Sequence, residues 1–510
     1  GNLPYNLCYK SYGTLYEIST MSQKINHVNM AIAGEIFGYF SRVFCNVWRN
    51  SSTGLINYNG RIKNYHCTSS INGDSKDVII VGGGMVGTAL AVALAKNRSF
   101  AAKEIVLLEG THKHKYKTKE NYSNRVVALN KQTRTLLSSI GAWKHIKSAR
   151  FTPVRKMQVW DATSDAMITF NEDYLADEIA FIVENDILLH ALDQELEDQP
   201  NLKVLYNSQV QNISLPRRRG DNSEIKLQDG QKFSTKLLVG ADGVNSQVRR
   251  VMGTQYVSWD YKQMAIVATL NLSEPTENIT AWQRFLPTGP IALLPLSGAH
   301  SSLVWSLPTD QAKNYLKATP EDFVDAVNDA LWKIYPKNSV VEGGMNSLQQ
   351  LLTGLSLNSG FSCELQPSIA GVIDNSRAAF PLGFGHAVNY VAHGVVLVGD
   401  AAHRVHPLAG QGVNLGFGDV TVLVKLLDDA VKSGSGIGDI LHLANYETFR
   451  QRHNVPTLMI VDALHRLYRG TAAPVVLARS LGLQLLNTLT PLKRYMMDRA
   501  SEMPVNRYQR

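Results

Sequence analysis

The chain has 510 residues, of which 44% are hydrophobic and 18% are charged. This composition supplies enough apolar side chains for a buried core and excludes a chain that is disordered throughout. The length suggests two to four domains or one elaborate two-domain enzyme. The formal net charge of +8 would suit an acidic partner, but the Lys and Arg residues are not gathered into long runs. We therefore expect no binding to nucleic acid.

The N-terminal stretch, residues 1–74, has the composition of a targeting segment. It contains six Lys or Arg residues and three acidic ones, together with several Ser and aromatic residues. That balance is typical of a mitochondrial presequence, and a plain disordered tail is the alternative. The chain begins with Gly1, and both Met21 and Met30 are plausible starts.

Three of the four cysteines lie in that same stretch, which leaves Cys363 alone in the rest of the chain. A single cysteine cannot build a disulfide framework or a thiolate metal site. We therefore predict that the body folds in a reducing compartment or does not depend on disulfides. We also predict no metal site, because no carboxylate or third imidazole stands at ligand spacing from His403 and His406.

The longest segment without a charge, residues 78–95, is long enough to raise the question of a membrane-spanning helix. Four glycines lie between residues 82 and 87 of this segment, where they weaken a helix and favour a turn between a strand and a helix. We predict no spanning helix.

A dinucleotide-binding pattern occupies this segment instead. Residues 78–81 form a β-branched run typical of a buried parallel strand, and a helix of small apolar residues follows the glycines. Gly82 permits a tight turn, Gly84 lets the backbone approach a pyrophosphate, and Gly87 lets the helix pack closely on the strand. The free N–H groups at the start of the helix favour a phosphate.

A second apolar strand, residues 105–108, ends at Glu109. An acidic residue there can accept hydrogen bonds from a ribose diol and disfavours a 2′-phosphate, so the site suits FAD or NAD and not NADP.

Two later segments, residues 237–246 and 395–414, decide between FAD and NAD. Each reads as a strand that ends in a tight turn before a helix, and the second continues through a proline-containing loop into another glycine-rich helix start. An extended cofactor that touches one sheet at three distant chain positions favours FAD, which has a ribityl chain and an isoalloxazine ring to place. The candidate cofactor-binding residues in these segments are Asp242, Gly243, Gly399, Asp400, Gly410, Gly412 and Asn414. Asp400 suits a ribityl hydroxyl, while Gly410 and Gly412 let backbone N–H groups approach the ring.

The three segments resemble the GxGxxG, DG and GD fingerprints of the class A flavoprotein aromatic hydroxylases, the family of para-hydroxybenzoate hydroxylase. Other stretches resemble the ubiquinone-biosynthesis branch of that family. These stretches are residues 124–130, 182–185 and 282–296, with the C-terminal pattern around Asn454, Asp462, Arg479, Gly482 and residues 491–493. The resemblance covers about residues 75–500, although the stretch between about 309 and 376 is longer than in bacterial relatives.

The resemblance implies an α/β fold in which a Rossmann-like FAD-binding domain joins an antiparallel β-sheet substrate domain and C-terminal helices. A hairpin of residues 281–286 and 291–296, with residues 264–272 and 156–170, is expected to form that sheet over the flavin. The expected boundaries are a leader at 1–74, a discontinuous FAD-binding domain at 75–150, 178–255 and 378–440, a substrate domain at 151–177 and 256–377, and a helical region at 441–510.

The resemblance also implies roles for single residues. Arg125 is expected near the cofactor pyrophosphate, with a surface helix-capping arginine as the alternative. Asp242 is expected both to approach the flavin and to cap the following helix. The chemistry is centred on the flavin, so no catalytic side chain is certain. His403, His406 and Pro407 are the weak candidates, with structural hydrogen bonds as the alternative for the histidines and loop shaping for the proline.

The implied activity is an FAD-dependent monooxygenase reaction in ubiquinone biosynthesis. A C4a-hydroperoxide of the reduced flavin would hydroxylate carbon 5 of a polyprenylated 4-hydroxybenzoate-type ring, with O₂ as co-substrate. Electrons would come from NAD(P)H or from a ferredoxin and its reductase. The alternatives are a prenyl reductase, an epoxidase, or a non-catalytic FAD-binding scaffold of a biosynthetic complex.

The implied location is the matrix side of the mitochondrial inner membrane, with peripheral membrane contact and membership of a biosynthetic complex. Residues 479–510 support docking to a membrane or a partner, since they hold six Lys or Arg and two acidic residues. Helices packed on the FAD domain are the alternative.

Overall fold

A computed structural model describes residues 74–113, 122–164, 166–171, 178–216, 220–354 and 364–488. The predicted presequence, apart from Asp74, lies outside the described residues. Of the basic segment 479–510, residues 489–510 also lie outside them.

Short runs rich in Val, Ile, Leu and aromatic residues form the strands of this molecule. In chain order the strands are β1 (Asp74–Val81), β2 (Ile105–Leu108), β3 (Val126–Leu129), β4 (Thr152–Val154), β5 (Lys156–Asp161), β6 (Met167–Asn171), β7 (Ala180–Glu184), β8 (Leu202–Leu205), β9 (Val210–Ser214), β10 (Ser223–Leu227), β11 (Lys232–Gly240), β12 (Tyr256–Leu272), β13 (Thr280–Leu286), β14 (Gly289–Ser297), β15 (His300–Pro308), β16 (Ile369–Val372), β17 (Ala378–Ala387), β18 (Val391–Ala392), β19 (Val395–Leu397) and β20 (His403–Arg404).

The helices alternate with these strands in the first half of the chain and gather at its C-terminal end. In chain order they are α1 (Met85–Ala95), α2 (Lys131–Ser139), α3 (Ala142–Ala149), α4 (Asn185–Leu196), α5 (Gln247–Met252), α6 (Thr309–Lys317), α7 (Pro320–Trp332), α8 (Ser339–Gly354), α9 (Gln411–Lys432), α10 (Ile440–Arg469) and α11 (Ala473–Thr488).

The first sheet has a parallel centre, as the continuous apolar run of β1 predicts. Its strand order is β18-β19-β11-β1-β2-β8, with β10 and β9 added beside β11. Strand β1 runs parallel to both β11 and β2, and its residues 78–81 are buried. Helix α1 packs on β1 and β2 and also contacts α4 and α9, so these three helices form one layer beside the central strands. The carboxyl ends of β1, β11 and β19 therefore lie side by side at one edge.

The second sheet has the order β20-β17-β12-β15-β14-β13-β5-β6. Its neighbouring strands are antiparallel except for β13 and β5, which are parallel. The predicted hairpin is confirmed as β13 and β14, with Trp282 opposite Leu293. Helices α6 and α7 cover one face of this sheet, where Phe323 and Val327 share a buried cluster with Trp305.

Strand β17 belongs to the second sheet, although the predicted boundaries assign it to the FAD-binding domain. It falls at the start of the segment 378–440 that was assigned to the FAD-binding domain, yet it pairs with β12 of the second sheet from Tyr256 opposite Ala387 to Val267 opposite Ala378. The boundary was placed by closeness in sequence to the next glycine motif, whereas the strand's partner is about 120 residues earlier in the chain.

The stretch between 309 and 376 contains α6, α7, α8 and β16. Strand β16 adds to the edge of β12, and the Arg284 guanidinium on β13 donates to the carbonyls of Ala330 and Leu331 at the end of α7. The stretch between 309 and 376 is thus anchored to the second sheet.

The C-terminal helices are fixed to the second sheet by a buried ion pair. Arg479 on α11 donates from Nε to Oδ2 of Asp161 on β5 at 2.7 Å, and its Nη1 donates to the carbonyls of Leu467 and Gly470 at the end of α10. Among the described residues, no helix is long and apolar enough to cross a membrane.

Candidate cofactor site

The glycine-rich turn after β1 is shaped by close backbone approaches. Gly82 has a φ of +108°, and a Cβ there would lie 2.4 Å from the carbonyl oxygen of Ala241. A Cβ at Gly87 would lie 2.0 Å from the carbonyl oxygen of Gly82. Both positions therefore require glycine because strand, turn and helix are in direct backbone contact.

Gly84 is glycine for a different reason. A Cβ at this position would have no atom within 4 Å, so the protein itself leaves room for a side chain. Gly84 is the N-cap of α1 and provides no side-chain cap, which leaves N–H groups of the first helical turn available to a ligand. Open space in front of a bare helix N-terminus fits a bound pyrophosphate.

Glu109, at the end of β2, holds this turn in place. Its Oε2 accepts a hydrogen bond from the Gly83 amide at 2.7 Å, and its Oε1 accepts from the amide and the hydroxyl of Thr111. The Oε2 atom keeps one acceptor position, which is the capacity that a ribose hydroxyl would use.

Asp242 follows β11 and serves two functions with its two oxygens. Its Oδ2 accepts hydrogen bonds from the amides of Gln247 and Val248 and so caps α5. Its Oδ1 is buried and has no partner among the described residues. The predicted cap is thus present, and an acceptor aimed elsewhere remains free for a ligand. The adjacent Gly243 has a φ of +75° and open space beside it.

The third turn follows β19. Gly399 has a φ of +59°, and its amide donates to Oδ2 of Asp419 at 2.9 Å. Asp400 is reached by solvent, yet the surrounding protein raises its pKa because it limits hydration of the carboxylate. A carboxylate that solvent reaches, although protein atoms surround most of it, lies on the floor of a cleft.

His403 is a buried structural side chain in this geometry. It is 1% exposed, and its Nε2 lies 2.7 Å from Oδ2 of Asp419. Burial by itself would raise the pKa of Asp419, but His403 and Arg450 outweigh that effect and hold this pKa below its usual range. Because the carboxylate is ionised, His403 donates from Nε2. Its Nδ1 has no partner among the described residues.

His406 is likewise buried, and its Nδ1 accepts a hydrogen bond from the Leu408 amide at 3.1 Å. Burial, with a contribution from His465, lowers the pKa of His406 to about 3. The ring is therefore neutral at physiological pH and carries its proton on Nε2. Pro407 begins the short 3₁₀ turn Pro407–Ala409, so these residues shape the loop that leads into α9.

The start of α9 resembles that of α1. Gly410 has a φ of +60° and caps the helix without a side-chain hydrogen bond, and a Cβ at Gly412 would meet only Val405, at 3.7 Å. Asn414 has all its hydrogen-bonding capacity engaged, since Oδ1 accepts from Asn130 and Thr133 and Nδ2 donates to the carbonyls of residues 128 and 410. Its side chain holds α9 against β3, and only its backbone remains for a cofactor.

Arg125 precedes β3 and has an exposed side chain. Its carbonyl accepts a hydrogen bond from the Asn185 amide, so the backbone position is fixed. The guanidinium remains available for the predicted pyrophosphate contact.

Several residues that support the site were not among the predicted site residues. Arg249, 7% exposed, donates to the carbonyl of Val244 in the second turn and to that of Ala401 in the third. Asp419, Arg450 and Asn454 form a buried network beneath the third turn. A single acid within the apolar stretch of α9 was the available signal for Asp419, but its partners could not be read from local spacing.

The described residues thus bring the three predicted turns together at the carboxyl edge of the first sheet. The features that fit FAD are the open space at Gly84, the unpartnered Oδ1 of Asp242 and the two helix N-termini without side-chain caps. Among the described residues, no group of three or more His, Cys, Asp or Glu side chains is arranged to hold a metal ion.

Comparison with known proteins also indicates an FAD-binding protein. The family described as "FAD binding domain" matches residues 75–340 and 375–459. The skipped residues, 341–374, fall within the stretch that the sequence analysis marked as unusually long.

Curated relatives match most of the chain. It is 48% identical over 433 residues to the mitochondrial ubiquinone biosynthesis monooxygenase COQ6 of Danio rerio, covering 84% of this chain and 90% of the relative. It is 49% identical over 433 residues to the protein of the same name from Homo sapiens, covering 84% and 92%. Among solved structures, p-nitrophenol 4-monooxygenase PnpA from Pseudomonas putida DLL-E4 aligns with a TM-score of 0.60 and 15% identity, over 84% of this chain and 99% of that one. At that identity the likeness concerns the fold alone.

Proposed function

The chain belongs to the family of COQ6 ubiquinone biosynthesis monooxygenases, and on that premise we propose that it hydroxylates carbon 5 of a polyprenylated 4-hydroxybenzoate-type ring. It is an FAD-dependent monooxygenase. The observation that carries the proposal is the meeting of the three cofactor turns at one sheet edge.

FAD, when bound and reduced, supplies the activation of O₂ that inserts one oxygen atom into an electron-rich ring. The protein's own contribution is to bind and orient. We assign the pyrophosphate to the α1 N-terminus at Gly84 and to Arg125, the adenosine ribose to Glu109, and the ribityl chain to Asp400 and Asp242.

The ring of the cofactor belongs at the N-terminus of α9. Backbone N–H groups at Gly410 and Gly412 and the positive end of a 22-residue helix favour negative charge there. His403, His406 and Pro407 hold the loop in shape, which agrees with a reaction that needs no protein nucleophile.

The source of electrons is part of the proposal. The sequence has one GxGxxG pattern, which we assign to the FAD site, so the reductant has to be one that needs no second Rossmann motif. NAD(P)H that docks transiently and a ferredoxin with its reductase both meet that requirement.

The relatives are named as mitochondrial proteins, which supports a mitochondrial location for this chain. We propose that this chain works peripherally at the matrix side of the inner membrane within a biosynthetic complex. The acid-poor leader and the basic segment after residue 478 support that location.

A labelling experiment tests the function. FAD-loaded protein, a reductase system and a prenylated 4-hydroxybenzoate are incubated under ¹⁸O₂, and the product is analysed by mass spectrometry. One labelled oxygen at ring carbon 5 is the expected result. Failure to form a labelled catechol while FAD stays bound would instead support the non-catalytic scaffold, and label elsewhere or a reduced prenyl chain would support an epoxidase or a prenyl reductase.

A further inference from the structure

The second sheet has one face that α6 and α7 leave uncovered. A row of side chains crosses this face in register on β5, β13, β14, β15 and β12. The row consists of Val159, Gln283, Ala292, Val304 and Val267. The two end residues are buried, whereas the three in the middle are half-buried. Solvent therefore reaches the middle of the row between two covered ends, and we call this part of the face the depression.

This depression adjoins the proposed place of the flavin ring. Val304 packs against the same apolar cluster as Val405 of the loop before α9. In the neighbouring row, Leu294 packs against the same buried cluster as Ala128 of β3, and a Cβ at Gly410 would lie 3.5 Å from the Cβ of Ala128. The middle of the row thus lies between the loop that leads into α9 and strand β3, where the ring-binding helix N-terminus also lies.

Gln283 is the one polar side chain in this row. Its amide has no hydrogen-bond partner among the described residues, unlike the interior glutamines on two other strands of the sheet. Gln158 donates to the carbonyl of Glu364, and Gln263 donates to the carbonyl of Thr288. Gln283 is only half-buried, so water can reach its amide while the depression is empty. A ligand that displaces this water leaves the amide unpaired beside valine and alanine unless the ligand itself bonds to it.

The chemistry of the row selects the ligand group. No charged side chain stands in the row, so it offers no ionic partner to a carboxylate. An amide donates from Nε2 or accepts at Oε1, and it can therefore bond either a phenol or a phenolate oxygen. Ala292 and Val304 offer small apolar contacts beside it, which suit an aromatic ring.

We propose that Gln283 is the specificity-determining residue that binds the ring hydroxyl of the phenolic substrate, an inference that rests on the proposed function. A ligand that lacks the hydroxyl leaves the amide unpaired in an apolar surrounding and is rejected for that reason. The hydrogen bond also fixes which ring carbon faces the cofactor, so that Gln283 orients the ring as well as binding it.

Calorimetric titration of the FAD-loaded full chain tests this assignment. The two ligands are 3-prenyl-4-hydroxybenzoate and 3-prenylbenzoate, which differ only in the hydroxyl group. We expect the unmodified protein to bind the phenol at least about tenfold more tightly, and Gln283→Met to reduce that preference to below about threefold by weakening phenol binding. The matched control is Gln311→Met on the exposed surface of α6, which should keep the full preference.

The outcomes separate this inference from the proposed function. A Gln283→Met protein that retains FAD and keeps the tenfold preference overturns the inference alone. Equal weakening of both ligands also overturns it, because a purely structural role would have that effect. If the unmodified protein binds neither ligand, the proposed substrate class fails and the inference fails with it.

Discussion

The guanidinium of Arg450 donates a hydrogen bond of 2.6 Å to Oδ1 of Asp419, although both side chains are buried. The same carboxylate receives His403 and the Gly399 amide, so a helix 30 residues long is tied to the turn that carries Asp400. The turn's conformation thus depends on charge compensation beneath it.

Removal of one partner from this network should be severe. Arg450→Met leaves the Asp419 carboxylate buried without its cation, and we expect a loss of about 3–5 kcal/mol of unfolding free energy. Chemical denaturation followed by circular dichroism measures this loss. Lys432→Met is the matched control, since Lys432 on α9 pairs with Asp428 at the surface and should leave the midpoint unchanged. Similar midpoints for the two variants would contradict the role given to the network.

The cluster around Glu195 predicts a dependence of stability on pH. Burial would raise the pKa of Glu195, but hydrogen bonds from Lys96, Lys144 and His145 outweigh it and lower the pKa from 4.5 to about 2. A carboxyl whose pKa is lower in the folded state stabilises the fold above its unfolded pKa. This contribution, roughly 3 kcal/mol, should be complete above about pH 5 and be lost as pH falls from 4.5 towards 2.

Glu195→Gln should therefore be less stable than the unmodified protein at pH 7, and the difference should shrink at pH 3. Thermal unfolding at a series of pH values measures it. Glu197→Gln is the control, because Glu197 pairs with Lys113 in an exposed position. A difference for Glu195→Gln that stays constant from pH 7 to pH 3 would count against the lowered pKa.

The glycines of the first turn should respond in opposite ways to substitution. Gly84→Val places a side chain in open space, so the fold should survive while FAD affinity falls by at least about tenfold. Gly87→Ala forces a Cβ to within 2.0 Å of the Gly82 carbonyl oxygen, so it should impair folding itself. Flavin absorbance after gel filtration, with circular dichroism of the apoprotein, distinguishes the two effects. A yellow Gly84→Val protein would contradict the phosphate site.

The two oxygens of Asp242 can be tested separately. Asp242→Asn keeps an oxygen that can cap α5, so stability should stay within about 1 kcal/mol of the unmodified protein while FAD retention falls. Asp242→Ala removes the cap as well and should cost a further 0.5–2 kcal/mol, about the usual value of an N-cap. Equal FAD retention in the unmodified protein and in Asp242→Asn, measured by ultrafiltration, would remove this residue from the cofactor site.

Local patterns were sufficient to predict the parts of the site that lie within one strand, turn and helix. The run from residue 78 to Gly87 and the cap by Asp242 are of this kind, because strand, glycine and cap signals are neighbours in sequence. Contacts between distant segments could not be predicted in that way. Arg249 joins the turns after β11 and β19 through carbonyl groups, and carbonyl positions depend on the assembled backbone rather than on residue type.

The same limit explains why the contacts of Asn414 and the sheet to which β17 belongs could not be predicted from the sequence. Asn414 was predicted to bind the cofactor, but the contacts of its side chain with residues 128, 130 and 133, from a strand and helix far earlier in the chain, could not be predicted. Strand β17 was assigned by its neighbours in sequence, whereas its pairing with β12 is determined by the antiparallel register of the second sheet.

The order of strands in the first sheet has a consequence for how the protein is made. Its centre joins residues 74–81, 105–108, 232–240 and 395–397, and Asn414 then fastens α9 to the first half of the chain. A ribosome that has completed three quarters of the polypeptide has therefore released the phosphate-binding turn but not the segment that closes the site. Such widely separated contacts form slowly. We therefore expect flavin capture only after the segment up to Asn414 has been made and has joined the first sheet.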